Sequence, residues 1–172
     1  MKKFSLFLFT LVGSLAFMSM EAQNYSAPNN PSMSSSRIEW ISNFGNAQQQ
    51  ASQTGKPILI FFTGSNWCTW CIKLEREVLN TSEFAQAVGD KFIFVKADFP
   101  DYTEEALAAS PYRSIMQRYH VEAFPTLVII NPNGQLLFNM SYEAGGPRNY
   151  VQKLLQKLNS SRPSNQNNYY YR

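Results

Sequence analysis

The tightest constraint on this chain is a junction. The continuous apolar run Pro57 to Phe62 passes through Thr63-Gly64-Ser65-Asn66 into Trp67-Cys68-Thr69-Trp70-Cys71, which holds the only two cysteines. An uninterrupted apolar run of that length is the pattern of a strand covered on both faces, so it calls for a sheet with helices above and below. The polar turn then supplies a cap, and Ile72, Leu74, Val78 and Leu79 among interleaved charges continue as a helix. The cysteines therefore open a helix at the end of a buried strand. A thiol in that place feels the positive end of the helix dipole and unpaired backbone N–H groups, which favour the reactive thiolate. Cys71 falls on the same helical face as Cys68, within reach of a small disulfide ring. Such a short loop constrains the unfolded chain little, so the pair reads as a redox couple rather than a structural staple.

The rest of the chain supplies the sheet and its covering helices. Ile41, Phe44, Ala47 and Ala51 recur at helical spacing and stop at Gly55-Lys56-Pro57, predicting a first helix. Thr81 to Val88 reads as another short helix opened by Thr81 or Ser82, and Phe92 to Ala97 as a second buried strand. A helical region follows, broken near Ser110-Pro111, with Ile115, Met116 and Tyr119 facing inward. Leu127 to Ile130 is a third apolar strand, Asn131-Pro132-Asn133-Gly134 a tight turn, and Leu136 to Met140 the returning arm of a hairpin. Gly145-Gly146-Pro147 opens a last helix with Tyr150, Val151, Leu154, Leu155 and Leu158 on its apolar side. Parallel strands joined by a helical crossover and followed by a hairpin predict an α/β fold: a mixed sheet flanked by helices in three α/β/α layers.

The ends have a different character. Lys2 and Lys3, an apolar stretch from Phe4 to about Met18 and the polar break at Glu21 give residues 1–22 the layout of a signal peptide, with cleavage expected after Ala22. The stretch is interrupted by Ser5, Thr10, Gly13 and Ser14, and is short for a bilayer, which needs about 20 apolar residues. Residues 23–36, rich in Asn, Ser and Pro, read as a flexible linker, residues 37–159 as one domain, and residues 160–172, with Tyr169 to Tyr171, as a disordered tail. This layout places the mature protein in the periplasm or another exported compartment. The formal charge of +3 comes without a basic stripe or nucleic-acid motif, so no nucleic-acid partner is inferred.

Two other classes are weighed against the redox reading. Two thiolates suffice for Cu(I), but tetrahedral zinc needs further ligands, and the only histidine, His120, reads as a helix-end or surface residue; no metal site is assigned. A redox-inactive peptide-binding module is the other class, and the intact Cys68 and Cys71 argue against it.

With these elements in order, residues 37–159 resemble the thioredoxin-like superfamily. The likeness rests on Phe61-Phe62-Thr63-Gly64-Ser65-Asn66 leading into the W-C-x-W-C centre, on Phe124-Pro125-Thr126, and on the closing hairpin and helix. Within it the chain looks most like the exported DsbH-type thiol:disulfide reductases. The resemblance implies that Cys68 attacks, that Cys71 resolves, and that Pro125 is a cis-proline facing them, an isomer that costs an X-Pro bond only about 0.5–1 kcal/mol. Phe124 would offer its backbone to an extended substrate, with Thr126, Trp67, Thr69 and Trp70 as further substrate contacts. For Trp67 core packing is the plainer reading; Trp70, between the cysteines, is expected to face solvent.

The resemblance also exposes a departure. Thioredoxins usually carry a buried aspartate six residues before the attacking cysteine, and here Phe62 stands there. Glu75, one turn beyond Cys71, is the candidate for proton transfer, against a default reading as a solvated carboxylate paired with Lys73 or Arg76. No histidine lies between the cysteines, which favours a reductase over a dithiol oxidase or isomerase of the same fold. The implied partners are disulfide-containing exported proteins and a membrane thiol reductase as electron donor. No cofactor is implied, and the lack of a dimerisation stem suggests a monomer.

Overall fold

A computed structural model of the protein describes residues 37–161. The expected signal peptide, the linker and all but the start of the expected tail lie outside the described residues. The elements run β1 (Trp40–Ile41), α1 (Phe44–Thr54), β2 (Ile58–Thr63), α2 (Thr69–Leu74), a π-helical continuation (Glu75–Leu79), α3 (Ser82–Val88), β3 (Ile93–Asp98), α4 (Glu104–Ala109), α5 (Arg113–Arg118), β4 (Thr126–Ile130), β5 (Leu136–Met140) and α6 (Gly146–Ser160). The five strands lie in the order β1-β3-β2-β4-β5. β3 runs parallel to β1 and β2, whereas β4 runs antiparallel to both β2 and β5. Every residue of β2 is buried, as its unbroken apolar run requires.

Alternation along the strands divides the core in two. Leu59, Phe61, Phe94, Leu127 and Ile129 face Leu74, Val78, Phe84, Tyr150 and Leu154, which belong to α2, its continuation, α3 and α6. Ile58, Ile60, Phe62, Val95, Ala97, Val128 and Ile130 face Ala47 and Ala51 of α1 and Ile115 and Tyr119 of α5. The expected three layers follow from these two apolar faces, each fully buried Leu, Ile or Phe contributing about 1.5–3 kcal/mol.

Ile41 departs from expectation. It lies in β1, pairing with Val95, and the first helix starts only at Phe44, where Asn43 Oδ1 accepts from the Asn46 N–H at 3.0 Å. Ile41 still packs against the same core cluster as Ala47 and Ala51. That shared burial, not a shared helix, produces its spacing. At the other end α6 runs through Ser160, one residue into the expected tail, with Ser160 Oγ donating to the Gln156 carbonyl. His120 has the helix-end role expected of it. With φ of 52° it is the left-handed residue closing α5, its N–H donating to the Gln117 carbonyl and that of Val121 to the Met116 carbonyl.

Candidate active site

The chain leaves β2 at Thr63 and turns so tightly that the N–H groups of Trp67 and Cys68 both donate to the Gly64 carbonyl. Glycine is required there by packing. A Cβ on Gly64 would lie 2.4–2.7 Å from the Trp67 indole. That ring is the clamp of the site: Nε1 donates to the Phe99 carbonyl at 2.8 Å, and the ring meets Phe124 at 5.6 Å and Tyr102 at 5.7 Å, edge to face. Ser65 N–H adds a second tie to the end of β3, donating to Asp98 Oδ1 at 2.9 Å.

Cys68 caps α2 and is disulfide-bonded to Cys71. The two sulfurs differ in access: Cys68 is 6% exposed and Cys71 is 0% exposed, packed in the core with Leu74. The Cys71 N–H donates to Cys68 Sγ at 3.2 Å. A backbone donor is thus already aimed at the sulfur that carries negative charge when the bond opens. The Phe124–Pro125 bond is cis, Pro125 is buried, and its carbonyl accepts from Ser141 Oγ at 2.9 Å. Thr126 spends its hydroxyl on the Ala123 carbonyl at 2.7 Å. Thr69 is exposed.

Phe62 does not sit where counting back from Cys68 puts it. It stacks on Phe99 at 6.5 Å in the core on the far side of the sheet. On the face that carries Cys71 the strand presents Leu59 and Phe61, and Phe61 is in register with Lys96 of β3. Glu75 meets that lysine, Oε1 to Nζ at 2.6 Å, with both side chains largely covered. The pairing with Lys73 or Arg76 expected for a solvated Glu75 belongs instead to Glu77. The π-helical turn that begins at Glu75 marks where the helix departs from regular α geometry beneath the cysteines.

Trp70 is 56% exposed, as expected, but it is not free of partners. Its ring leans on Tyr142 at 5.3 Å, and Lys73 Nζ lies 5.3 Å from the Trp70 centroid and 5.5 Å from that of Tyr142. The Tyr142 hydroxyl donates to Glu77 Oε2 at 2.8 Å. That bond, with help from nearby Lys73, holds the Glu77 carboxyl below its usual range, and the same carboxylate pushes the Tyr142 phenol up.

The thioredoxin-like domain family matches residues 44–159. The disulfide bond reductase DsbH of Chlamydia pneumoniae is 35% identical over 127 residues, which is 73% of this chain and 76% of that protein. A solved DsbH oxidoreductase superposes with a TM-score of 0.63 at 36% identity, covering 72% of this chain and 85% of the other. The chain belongs to the thioredoxin-like family. The fold likeness reaches further, to a thioredoxin from Thermus thermophilus with a TM-score of 0.56 at 15% identity, covering 72% of this chain and 89% of that one. This thioredoxin-like protein is a DsbH-like thiol:disulfide oxidoreductase, with Cys68 and Cys71 as its C-x-x-C pair.

Sequence reasoning missed Lys96, Tyr142 and the Phe99 carbonyl. Lys96 did leave a signal, as a single charge inside the otherwise apolar run Phe92 to Ala97. Tyr142 left none, because its partners lie far off in the chain.

Proposed function

We propose that this thioredoxin-like protein is an exported disulfide reductase. The observation that carries the reading is the unequal standing of its two cysteines, Cys68 largely covered but still 6% exposed with an N–H aimed at its sulfur, and Cys71 fully sealed. Cys68 thiolate attacks one sulfur of a substrate disulfide, that bond breaks, and the other substrate sulfur leaves as a thiolate. Cys71 then loses its proton and attacks Cys68 in the mixed disulfide. The substrate's second sulfur leaves, Cys68 and Cys71 are oxidised, and two electrons have passed to the substrate. Glu75, whose backbone N–H bonds the Cys71 carbonyl and whose carboxylate is held by Lys96, takes up the Cys71 proton.

Phe124, next to buried Pro125, offers its backbone to an extended substrate, with Trp67, Thr69, Trp70 and Thr126 bordering the contact. The absence of a histidine between the cysteines and the relative named a disulfide bond reductase support this direction of electron flow. Residues 1–22 serve as the export signal. The substrates are then disulfide-bearing exported proteins, a membrane thiol reductase restores the dithiol, and the protein works as a monomer. Among the described residues no helix is long and apolar enough to cross a membrane.

The test is a pair of variants acting on a disulfide-bonded protein. Cys68→Ser abolishes reduction, whereas Cys71→Ser accumulates the mixed disulfide on Cys68. Turnover that survives in Cys68→Ser overturns the reading.

A further inference from the structure

Trp70, Lys73 and Glu77 stand at positions i, i+3 and i+7, so they share one face of the active-site helix. Tyr142 lies along that face like a strap. Its ring covers Trp70 and the Lys73 ammonium, while its hydroxyl reaches Glu77 two turns from Trp70. The segment carrying Tyr142 is itself tied down on both sides. Ser141 donates through Oγ to the Pro125 carbonyl and accepts through its own carbonyl from the Tyr150 hydroxyl at 2.9 Å, and Glu143 pairs with Lys153. The strap therefore links the cis-proline Pro125 to the tryptophan between the cysteines.

An exposed indole ordinarily samples several rotamers, and a partner that uses it must first immobilise it. Here two groups, the Tyr142 ring and the Lys73 ammonium, already hold the indole, while more than half of the residue stays open to solvent. Its neighbour Lys73 is paired with Glu77, so the exposed indole stands beside an ion pair rather than a lone cation and is the apolar feature of this face. Such a surface rewards an apolar side chain and gives nothing to a small anionic disulfide.

We propose that Tyr142 is a positioning residue that fixes Trp70 as an apolar wall beside Cys68, making the protein selective for disulfides on polypeptides whose cysteine is flanked by a large apolar side chain. The inference rests on Cys68 being the attacking sulfur, as proposed above. No group other than the two cysteines changes oxidation state; the wall acts on binding.

Single-turnover reactions of the pre-reduced full chain test it, with acid quenching and quantification of released thiol. The substrates are a disulfide-linked dimer of a short peptide carrying Leu beside its Cys, the same dimer with Ser in place of Leu, and oxidised glutathione. The wild-type chain half-saturates with the Leu peptide at a three- to tenfold lower concentration than with the Ser peptide, equivalent to about 0.7–1.4 kcal/mol. Tyr142→Ala erases that preference by raising the half-saturating concentration of the Leu peptide, with the limiting rate little changed, and Trp70→Ala does the same. Tyr142→Phe, which keeps the ring and loses only the bond to Glu77, gives about a twofold loss of preference and keeps the test independent of how well the Ala variant folds. A wild-type chain with no preference, or a Tyr142→Ala chain that keeps it, overturns the proposal. Reaction of the wild type with oxidised glutathione, and its loss in Cys68→Ser, reads the role of Cys68 separately.

Discussion

Replacing Gly64 with Ala should damage the protein through one side chain, the Trp67 indole. A Cβ at position 64 would meet Cε2, Cζ2 and Nε1 of that ring at 2.4–2.7 Å, far inside van der Waals contact. The ring has to move, and moving it breaks the bond from Nε1 to the Phe99 carbonyl and the edge-to-face contacts with Phe124 and Tyr102. The lost hydrogen bond costs about 1 kcal/mol and the overpacking about 1–3 kcal/mol, so the expected destabilisation is about 2–4 kcal/mol. For a domain of this size that moves the urea midpoint down by about 1–3 M at constant slope. Equilibrium urea unfolding followed by far-UV circular dichroism avoids using the displaced tryptophan as its own reporter. A double-mutant cycle isolates the cause: in a Trp67→Ala background the ring is gone, and Gly64→Ala should cost less than about 0.5 kcal/mol. Equal cost in both backgrounds would refute the packing argument and point to the backbone of the turn instead.

Two further predictions follow from named contacts. Tyr150 is buried, with its hydroxyl on the Ser141 carbonyl, and burial pushes its phenol far above the ordinary value of 10.0. The unfolded chain therefore releases this proton first as pH rises, so stability is unaffected by Tyr150 below about pH 10 and falls by about 1.4 kcal/mol per pH unit above it; Tyr150→Phe should flatten that part of the stability profile. Glu75→Gln removes the carboxylate that Lys96 holds and should slow resolution of the mixed disulfide at neutral pH by about tenfold, while formation of that intermediate changes little. Quenched-flow trapping of the intermediate separates the two steps, and an unchanged resolution rate dismisses Glu75 as the proton carrier.

The parts of this protein legible in its sequence are those written in neighbouring residues. The unbroken apolar run at β2, the turn residues from Asn131 to Gly134 and the C-x-x-C at a helix start each carry a local physical signature. The polar network around the cysteines is not local: Glu75 meets Lys96 across 21 residues, and Tyr142 meets Glu77 across 65. No periodicity reports such pairs. Phe62 shows a subtler failure, since counting back from Cys68 assumes the register of the turn that joins strand to helix. Alternation in the folded strand sends Phe62 to the α1 face and leaves Phe61 on the cysteine side. Ile41 misled for the opposite reason, because a strand residue and a helix can bury into the same core.

The direction of electron flow is the central functional claim, and the equilibrium redox potential of the Cys68/Cys71 pair tests it most directly. Trp67 and Trp70 border the disulfide and serve as fluorescence reporters in defined dithiothreitol or glutathione buffers. A reductase predicts a potential near the thioredoxin value of about −270 mV, whereas a potential near the about −120 mV of a strong periplasmic oxidant would contradict it and make the pair a donor of disulfides.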